Sequence, residues 1–314
     1  MAVRGAPAIA IVGAFGIAME IGQLVSVKDN SKPKYAYLIS LTEKLKKSRP
    51  TAVNLSRMIS DLLSNLTESR WENSSLDEIF FLLEEFSIQE FQRDIEANQK
   101  IGENALEIFS QSKYDLNIIT ICNTGALATA GHGTALGIIR TLNEKGYKLT
   151  VYALETRPYL QGSRLTAFEM QEEGIDCYII TDGMSSWLMN DRRIDAILVG
   201  CDRIAKNGDI ANKIGTRNLA IIAKEYNVPF YVAGTKDSFD LRMNSGEEIP
   251  IEMRDPSEVT SLSFIKDREG NPLIHEGMIA PIGAKALNPS FDITPARFIT
   301  KIITETGIYS PGEY

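Results

Sequence analysis

The sequence predicts a doubly wound, mostly parallel α/β sheet preceded by a smaller helical domain. Three observations carry this prediction. No strand-like run occurs in roughly the first third of the chain. After it, short apolar runs recur at 116–121, 149–154, 177–181, 196–200 and 230–233. Helical stretches such as 163–172 and 216–226 separate these runs. Strands that alternate with helices pair in parallel and are covered on both faces. A chain of 314 residues suits two domains. They are expected at 1–112, helical, and 113–314, a Rossmann-like α/β domain.

Pro7 suits the first turn of a helix, where its fixed φ is already helical. Residues 8–20 continue with small and apolar side chains that suit close packing. The apolar stretch 6–25 follows Arg4 and superficially resembles a signal segment. Glu20 interrupts it, Gly and Pro are scattered through it, and no second hydrophobic segment follows, so it reads as a packed helix. Helices are expected over 35–47 and 51–63, split by Ser48-Arg49-Pro50. Two more are expected over 76–92 and 94–111. The last places Ile95, Ile101, Leu106 and Phe109 roughly on one face. Trp71 and Trp187 read as packing residues.

Composition excludes several classes of function. Lys plus Arg total 33 and Asp plus Glu 41, a net charge of −8. An acidic chain is poorly suited to neutralising many nucleic-acid phosphates. The densest basic run, 44–49, reads as a solvated helix end. Three cysteines, none in a C-x-x-C pair, point to a reducing compartment, the cytoplasm. With only His132 and His275, a metal site of several His or Cys is not expected. No cofactor is expected either. The glycine-rich segment after the first strand matches neither the P-loop nor the dinucleotide fingerprint.

Open α/β sheets bind ligands beyond the carboxyl ends of their strands. That rule selects Cys122, Glu155, Asp182 and Asp202. Cys122 meets a turn rich in small residues, where helix amides acidify a thiol; the alternative is a small buried side chain. Cys201 at a strand end and Cys177 at the start of an interior strand fit the second description. Asp202 follows a buried strand, where desolvation makes a carboxyl a better acid near neutrality. It also suits a loop-ordering cap or an ion pair with Arg203. Glu155-Thr156-Arg157-Pro158, Gln161-Gly162-Ser163-Arg164 and, after the turn Asn207-Gly208-Asp209, Asn212-Lys213 are denser in polar groups than loops require. Arg4 and Arg49 each precede a helix start, where an anion docks on free N–H groups. His132 lies between two glycines and suits either a ligand contact or a turn.

Taken together, these segments resemble the methylthioribose-1-phosphate isomerase family. The resemblance rests on Arg4-Gly5-Ala6-Pro7-Ala8-Ile9, on Ser48-Arg49-Pro50-Thr51-Ala52-Val53-Asn54-Leu55, and on 122–137. It rests also on Glu155-Thr156-Arg157-Pro158, on Gln161-Gly162-Ser163-Arg164-Leu165-Thr166, on 200–213 and on Asn288-Pro289-Ser290-Phe291-Asp292-Ile293-Thr294-Pro295. It spans essentially the whole chain. The wider superfamily includes ribose-1,5-bisphosphate isomerase and regulatory subunits of a translation-initiation exchange factor.

The resemblance implies a catalytic pair, Cys122 and Asp202. It implies substrate contacts from Arg4, Gly5, Ala6, Arg49, Gln161, Asn212 and Lys213, and a cytoplasmic homodimer acting in methionine salvage. The exchange-factor relatives do not need the pair, so its presence favours an enzyme. The alternatives are an isomerase of deoxyribose or ribose phosphates and a non-catalytic regulatory subunit. The tail after Phe291 is expected to cross a neighbouring subunit. Two departures stand out. The family carries several dozen residues before Arg-Gly-Ala-Pro, whereas this chain begins almost at that motif, which bears on domain integrity and on the placement of Arg4. Gly283-Ala284-Lys285-Ala286-Leu287-Asn288 replaces the usual Gly-Val-Trp-Asn pattern, which bears on pocket shape.

Overall fold

The computed structural model describes residues 3, 5–26, 33–47, 53–110, 115–262, 265–266, 272–273 and 277–314. Arg4, Arg49 and His275 lie outside the described residues. The helical part contains α1 (Ala6–Ser26), α2 (Tyr35–Lys46), α3 (Val53–Asn65), the short α4 (Glu68–Asn73) and α5 (Leu76–Phe109). The α1 helix is long and apolar enough to cross a membrane. One face of it is buried by packing, while Val12 and Met19 are exposed. Ile9, Ala14, Ile17 and Ile21 pack with Leu55, Met58 and Ile59 of α3 and with Ile79 and Leu83 of α5. Burying one such Ile or Leu contributes roughly 1.5–3 kcal/mol. Trp71 joins this core, and its indole N–H donates to the Pro33 carbonyl at 2.9 Å.

One expectation fails here. The two helices expected over 76–92 and 94–111 form one 34-residue helix, α5. Ser75 caps it and Glu78 closes a capping box. The polar step Gln92-Arg93-Asp94 is a contact surface rather than a break. Arg93 and Arg57 of α3 both pair with Glu90 and with Asp237, which lies beyond the sheet. The far half of α5 leaves the helical core and buries Ile101, Ala105 and Phe109 against the sheet.

The sheet elements are β1 (Asp115–Thr120), β2 (Lys148–Leu154), β3 (Asp176–Ile180), β4 (Ala196–Val199), β5 (Arg203–Ala205), β6 (Ile210–Lys213), β7 (Phe230–Ala233) and β8 (Phe239–Asp240). Four two-residue strands follow: β9 (Ser261–Leu262), β10 (Ile265–Lys266), β11 (Pro272–Leu273) and β12 (Gly277–Met278). The chain closes with β13 (Phe291–Thr294), β14 (Lys301–Thr304) and β15 (Gly307–Tyr309). Between strands run α6 (Ala135–Glu144), α7 (Ala167–Glu172), α8 (Ser185–Asp191), α9 (Thr216–Glu225) and α10 (Ser257–Thr260).

The main sheet has the order β15-β14-β7-β4-β1-β2-β3 and is parallel except for the β14–β15 pair. From β1 the chain winds outward through β2 and β3, then returns to the other side of β1 with β4 and β7. The switch point therefore lies between β1 and β4. Two apolar cores cover the sheet. One includes Ile119, Val199, Leu219 and Val232, and the other Ile118, Ile138, Leu198 and Ile303. A second sheet, β13-β6-β5-β8, sits beyond the ends of these strands.

Two further expectations are corrected. Cys177 lies on β3, an edge strand rather than an interior one. Trp187 is 55% exposed and is not a packing residue of this chain's core. The segment after Phe291 adds strands to both sheets, β13 beside β6 and β14 beside β7.

Asp94 links the helical part to the loop after β1, its carboxylate accepting the Ala130 N–H at 2.7 Å. Burial pushes its carboxyl up to about 6, against the pull of the Ala130 and Asn98 hydrogen bonds. A raised carboxyl contributes stability that is full below its ordinary value and lost as pH rises through the folded one. Asp94→Asn removes this titration. Its stability relative to the parent is expected to improve by about 2 kcal/mol between pH 4 and pH 8 in urea unfolding. A difference independent of pH would contradict the assignment.

Candidate active site

A cavity of about 400 Å³ opens at the switch point, lined by the loops after β1, β2 and β4, by β6 and by the start of α1. Cys122 and Asp202 both line it. They follow neighbouring parallel strands, β1 and β4, paired at Ile118 with Ala196 and Ile119 with Ile197. This is the crevice that open α/β sheets use for ligands. Gly5, Ala6, Gln161, Asn212 and Lys213 line the same cavity. Arg4 and Arg49 fall outside the described residues.

The loop after β1 is held from below by one buried carboxylate. Glu169 of α7 accepts from the Asn123 side chain at 2.7 Å and from the backbone N–H groups of Ala126 at 2.8 Å and Leu127 at 3.3 Å. Arg140 of α6 balances its charge at 2.6 Å and also reaches Glu173 and the His132 carbonyl. His132 itself meets Thr141 at 3.2 Å, and burial holds its imidazole below the usual value. It serves the turn rather than the cavity. Gly5 is a close approach between the two parts of the chain. A Cβ there would lie 2.2 Å from the Ala128 carbonyl oxygen, so only glycine lets α1 begin against this loop.

Asp202 leaves β4 half-buried, and its backbone N–H donates to the Ala211 carbonyl at 2.9 Å, tying it to β6. Arg203 turns away to Asp240 and the Met243 sulfur. Asn212 is buried and donates to Thr216 at 3.0 Å. The Lys213 ammonium lies 4.8 Å from the centre of the Phe291 ring, a cation–π contact. Asp292, beside Asn212 in register, receives the N–H groups of Gly215 and Arg217 at the start of α9. Burial pushes this carboxyl up to about 6.

None of the three cysteines is in a disulfide. Burial pushes Cys177 up to about 11 and Cys201 up to about 12. Both thiols are therefore held in the protonated form near neutral pH. Cys122 and Cys201 both line the cavity, and Cys122 does so from a left-handed backbone, with φ 67°. Such a conformation is costly for a residue with a side chain. Among the described residues, no three His, Cys, Asp or Glu side chains gather as a metal site.

Comparison with known proteins fits this geometry. The family model described as "Initiation factor 2 subunit family" matches residues 2–311. The chain belongs to the initiation factor 2 subunit family. Within it, the chain is 57% identical over 314 residues to the methylthioribose-1-phosphate isomerase of Leptospira biflexa serovar Patoc, covering 100% of this chain and 85% of that protein. It is 46% identical over 311 residues to the isomerase of the same name from Thermotoga maritima, covering 99% and 84%. The crystal structure of 5-methylthioribose 1-phosphate isomerase from Pyrococcus horikoshii OT3 superposes with a TM-score of 0.81 at 37% identity, covering 100% and 82%. Subunit delta of the translation initiation factor eIF-2B from A. fulgidus superposes with a TM-score of 0.77 at 36% identity, covering 99% and 85%.

The sequence reading missed Thr156, Thr166, Glu169 and Asp94, which touch the loops that carry the site. Thr156 and Thr166 stand inside the motifs quoted for the resemblance. Nothing in the sequence shows that their hydroxyls reach the Cys122 backbone.

Proposed function

We propose that this chain is an aldose–ketose isomerase that converts 5-methylthioribose 1-phosphate to 5-methylthioribulose 1-phosphate, a step of methionine salvage. The observation that carries the reading is the meeting of Cys122 and Asp202 at one switch-point cavity. It does so in a chain that is 46% to 57% identical, over almost its whole length, to isomerases of that name.

The substrate's anomeric oxygen carries phosphate, so the ring cannot open by losing an anomeric proton. Asp202 is the general acid, giving a proton to the ring oxygen as the bond between C1 and that oxygen breaks. The hydrogen on C2 then moves to C1, the C2 hydroxyl gives up its proton, and a ketose remains with its phosphate in place. Cys122 as thiolate removes the C2 proton, or it stabilises the charged state while a hydride shifts. Deuterium placed at C2 and retained at C1 assigns the hydride route; its exchange with solvent assigns the thiolate. Lys213, Gln161, Asn212 and the start of α1 at Gly5 and Ala6 hold the phosphate and hydroxyls, together with Arg4 and Arg49. The helical domain, 1–112, closes over the 113–314 domain and keeps water from the cation-like intermediate.

Apolar lining favours the thioether substrate. Val3, Pro7, Leu127 and Leu165 face the cavity, and Arg254 is already matched by Glu252 at 3.2 Å and Glu258 at 2.5 Å. A second phosphate would need more free positive charge. Three cysteines outside any disulfide suit a cytoplasmic enzyme. A second copy of the chain covers the β3 edge, where Tyr178 and Ile179 are each 51% exposed, with Phe168 and Trp187 exposed on the flanking helices. Sedimentation is expected to give a dimer for the parent and a monomer for Tyr178→Glu with Trp187→Glu. A parent that sediments as a monomer would remove this assignment.

The test is turnover of the purified chain on 5-methylthioribose 1-phosphate and, separately, on ribose 1,5-bisphosphate, without added metal. The first is expected to yield its ketose phosphate with the higher kcat/KM. Turnover of the second alone would make the chain a sister isomerase. Turnover of neither, with stable binding to other family subunits, would make it a regulatory protein.

A further inference from the structure

Cys122 is held by side-chain hydroxyls at both ends of its peptide unit. Its N–H donates to Thr156 Oγ1 at 2.8 Å, and its carbonyl accepts from Thr166 Oγ1 at 2.5 Å. Both threonines are fully buried. Thr156 Oγ1 donates in turn to the Leu154 carbonyl at 2.9 Å, so its orientation is fixed. The backbone N–H groups of Thr156 and Arg157 both donate to the Asp182 carboxylate, at 2.9 Å and 2.7 Å.

These contacts join the ends of three adjacent parallel strands. Asp182 follows β3, Thr156 follows β2 and Cys122 follows β1. Four non-glycine residues have positive φ among the described residues. Two of them, Cys122 at 67° and Thr156 at 65°, are hydrogen-bonded partners, and a third, Leu160 at 58°, lies four residues on. A glycine would occupy the Cys122 position without strain. A side chain kept there, with two buried hydroxyls fixing its backbone, points to a thiol whose direction matters.

We infer that Thr156 and Thr166, with Asp182 behind Thr156, are positioning residues that fix Cys122 in its left-handed conformation and aim its thiol into the cavity. The inference rests on the reading that Cys122 takes part in the reaction. The hydroxyls act only through the Cys122 backbone. Their loss therefore changes the direction of the thiol and leaves the rest of the cavity lining in place.

The test compares Thr156→Val, Thr166→Val and Thr156→Ser with the parent in two assays. One is steady-state isomerisation. The other is the rate of Cys122 alkylation by iodoacetamide across a pH series, read by mass spectrometry of the Cys122 peptide. Misplacement by an ångström costs about 100-fold in rate. Each valine variant is expected to lose roughly 10- to 100-fold in kcat with KM within about 3-fold. Each is also expected to displace the alkylation profile, and Thr156→Ser should recover most of both. Parent-like kcat and alkylation in the valine variants would overturn the inference, as would a serine variant as impaired as valine. Should Thr156→Val not fold, Thr166→Val decides, since it removes a different contact to the same residue. Cys122→Ser separates the two levels. If that variant isomerises like the parent, the reading of the reaction is wrong, and the alkylation profiles still report whether the threonines place the thiol.

Discussion

Cys122→Ser is expected to lower kcat for isomerisation by about 1,000-fold while the chain stays folded. Serine keeps the Cys122 backbone and therefore both threonine contacts, N–H to Thr156 and carbonyl to Thr166. The substitution changes only the reacting atom. A serine hydroxyl is a far poorer source of anion at neutral pH than a thiol, and it is less polarisable. Both routes for the C2 hydrogen suffer, because one needs the thiolate as base and the other needs it beside developing charge. The remaining thiols cannot substitute. Burial pushes Cys177 up to about 11 and Cys201 up to about 12, which keeps both protonated. Steady-state kinetics and a thermal melt check this together. Parent-like kcat in a folded Cys122→Ser protein would remove Cys122 from the reaction.

Asp202→Asn is expected to cost about 100- to 10,000-fold in kcat with KM changed by only a few fold. Asparagine matches the carboxyl in shape, and the backbone bond from residue 202 to the Ala211 carbonyl is untouched. The cavity should therefore still bind the sugar phosphate. The amide has no proton acidic enough to give to the ring oxygen. Ring opening then becomes the slow step, and the loss appears in kcat. A large rise in KM with kcat preserved would make Asp202 a binding residue instead.

The parallel sheet was legible because its central strands are buried on both faces. Runs such as 116–121 and 196–200 are then almost wholly apolar and stand out from the helices between them. Cys122 and Asp202 were legible for a related reason. Each follows such a run, and the ends of parallel strands face one crevice. The α5 helix was misread because Gln92-Arg93-Asp94 interrupts its apolar pattern. Arg93 reaches Asp237 and Asp94 accepts the Ala130 N–H, partners more than thirty residues away. The small sheet was invisible because β5 and β6 are three and four residues long and β6 pairs with β13 from the end of the chain. Glu169 and Thr156 carried no local signal. Their roles exist only once the strand ends are side by side.

On the proposed reading, one cavity at the ends of β1 and β4 holds the sugar phosphate between Cys122 and Asp202. A crystal structure of Asp202→Asn soaked with 5-methylthioribose 1-phosphate tests it directly. The sugar is expected in that cavity, with the Cys122 sulfur about 3.5 Å from the C2–C1 edge and residue 202 at the ring oxygen. Sugar density elsewhere on the chain, or a sugar in the cavity with Cys122 turned away from C2, would contradict the account.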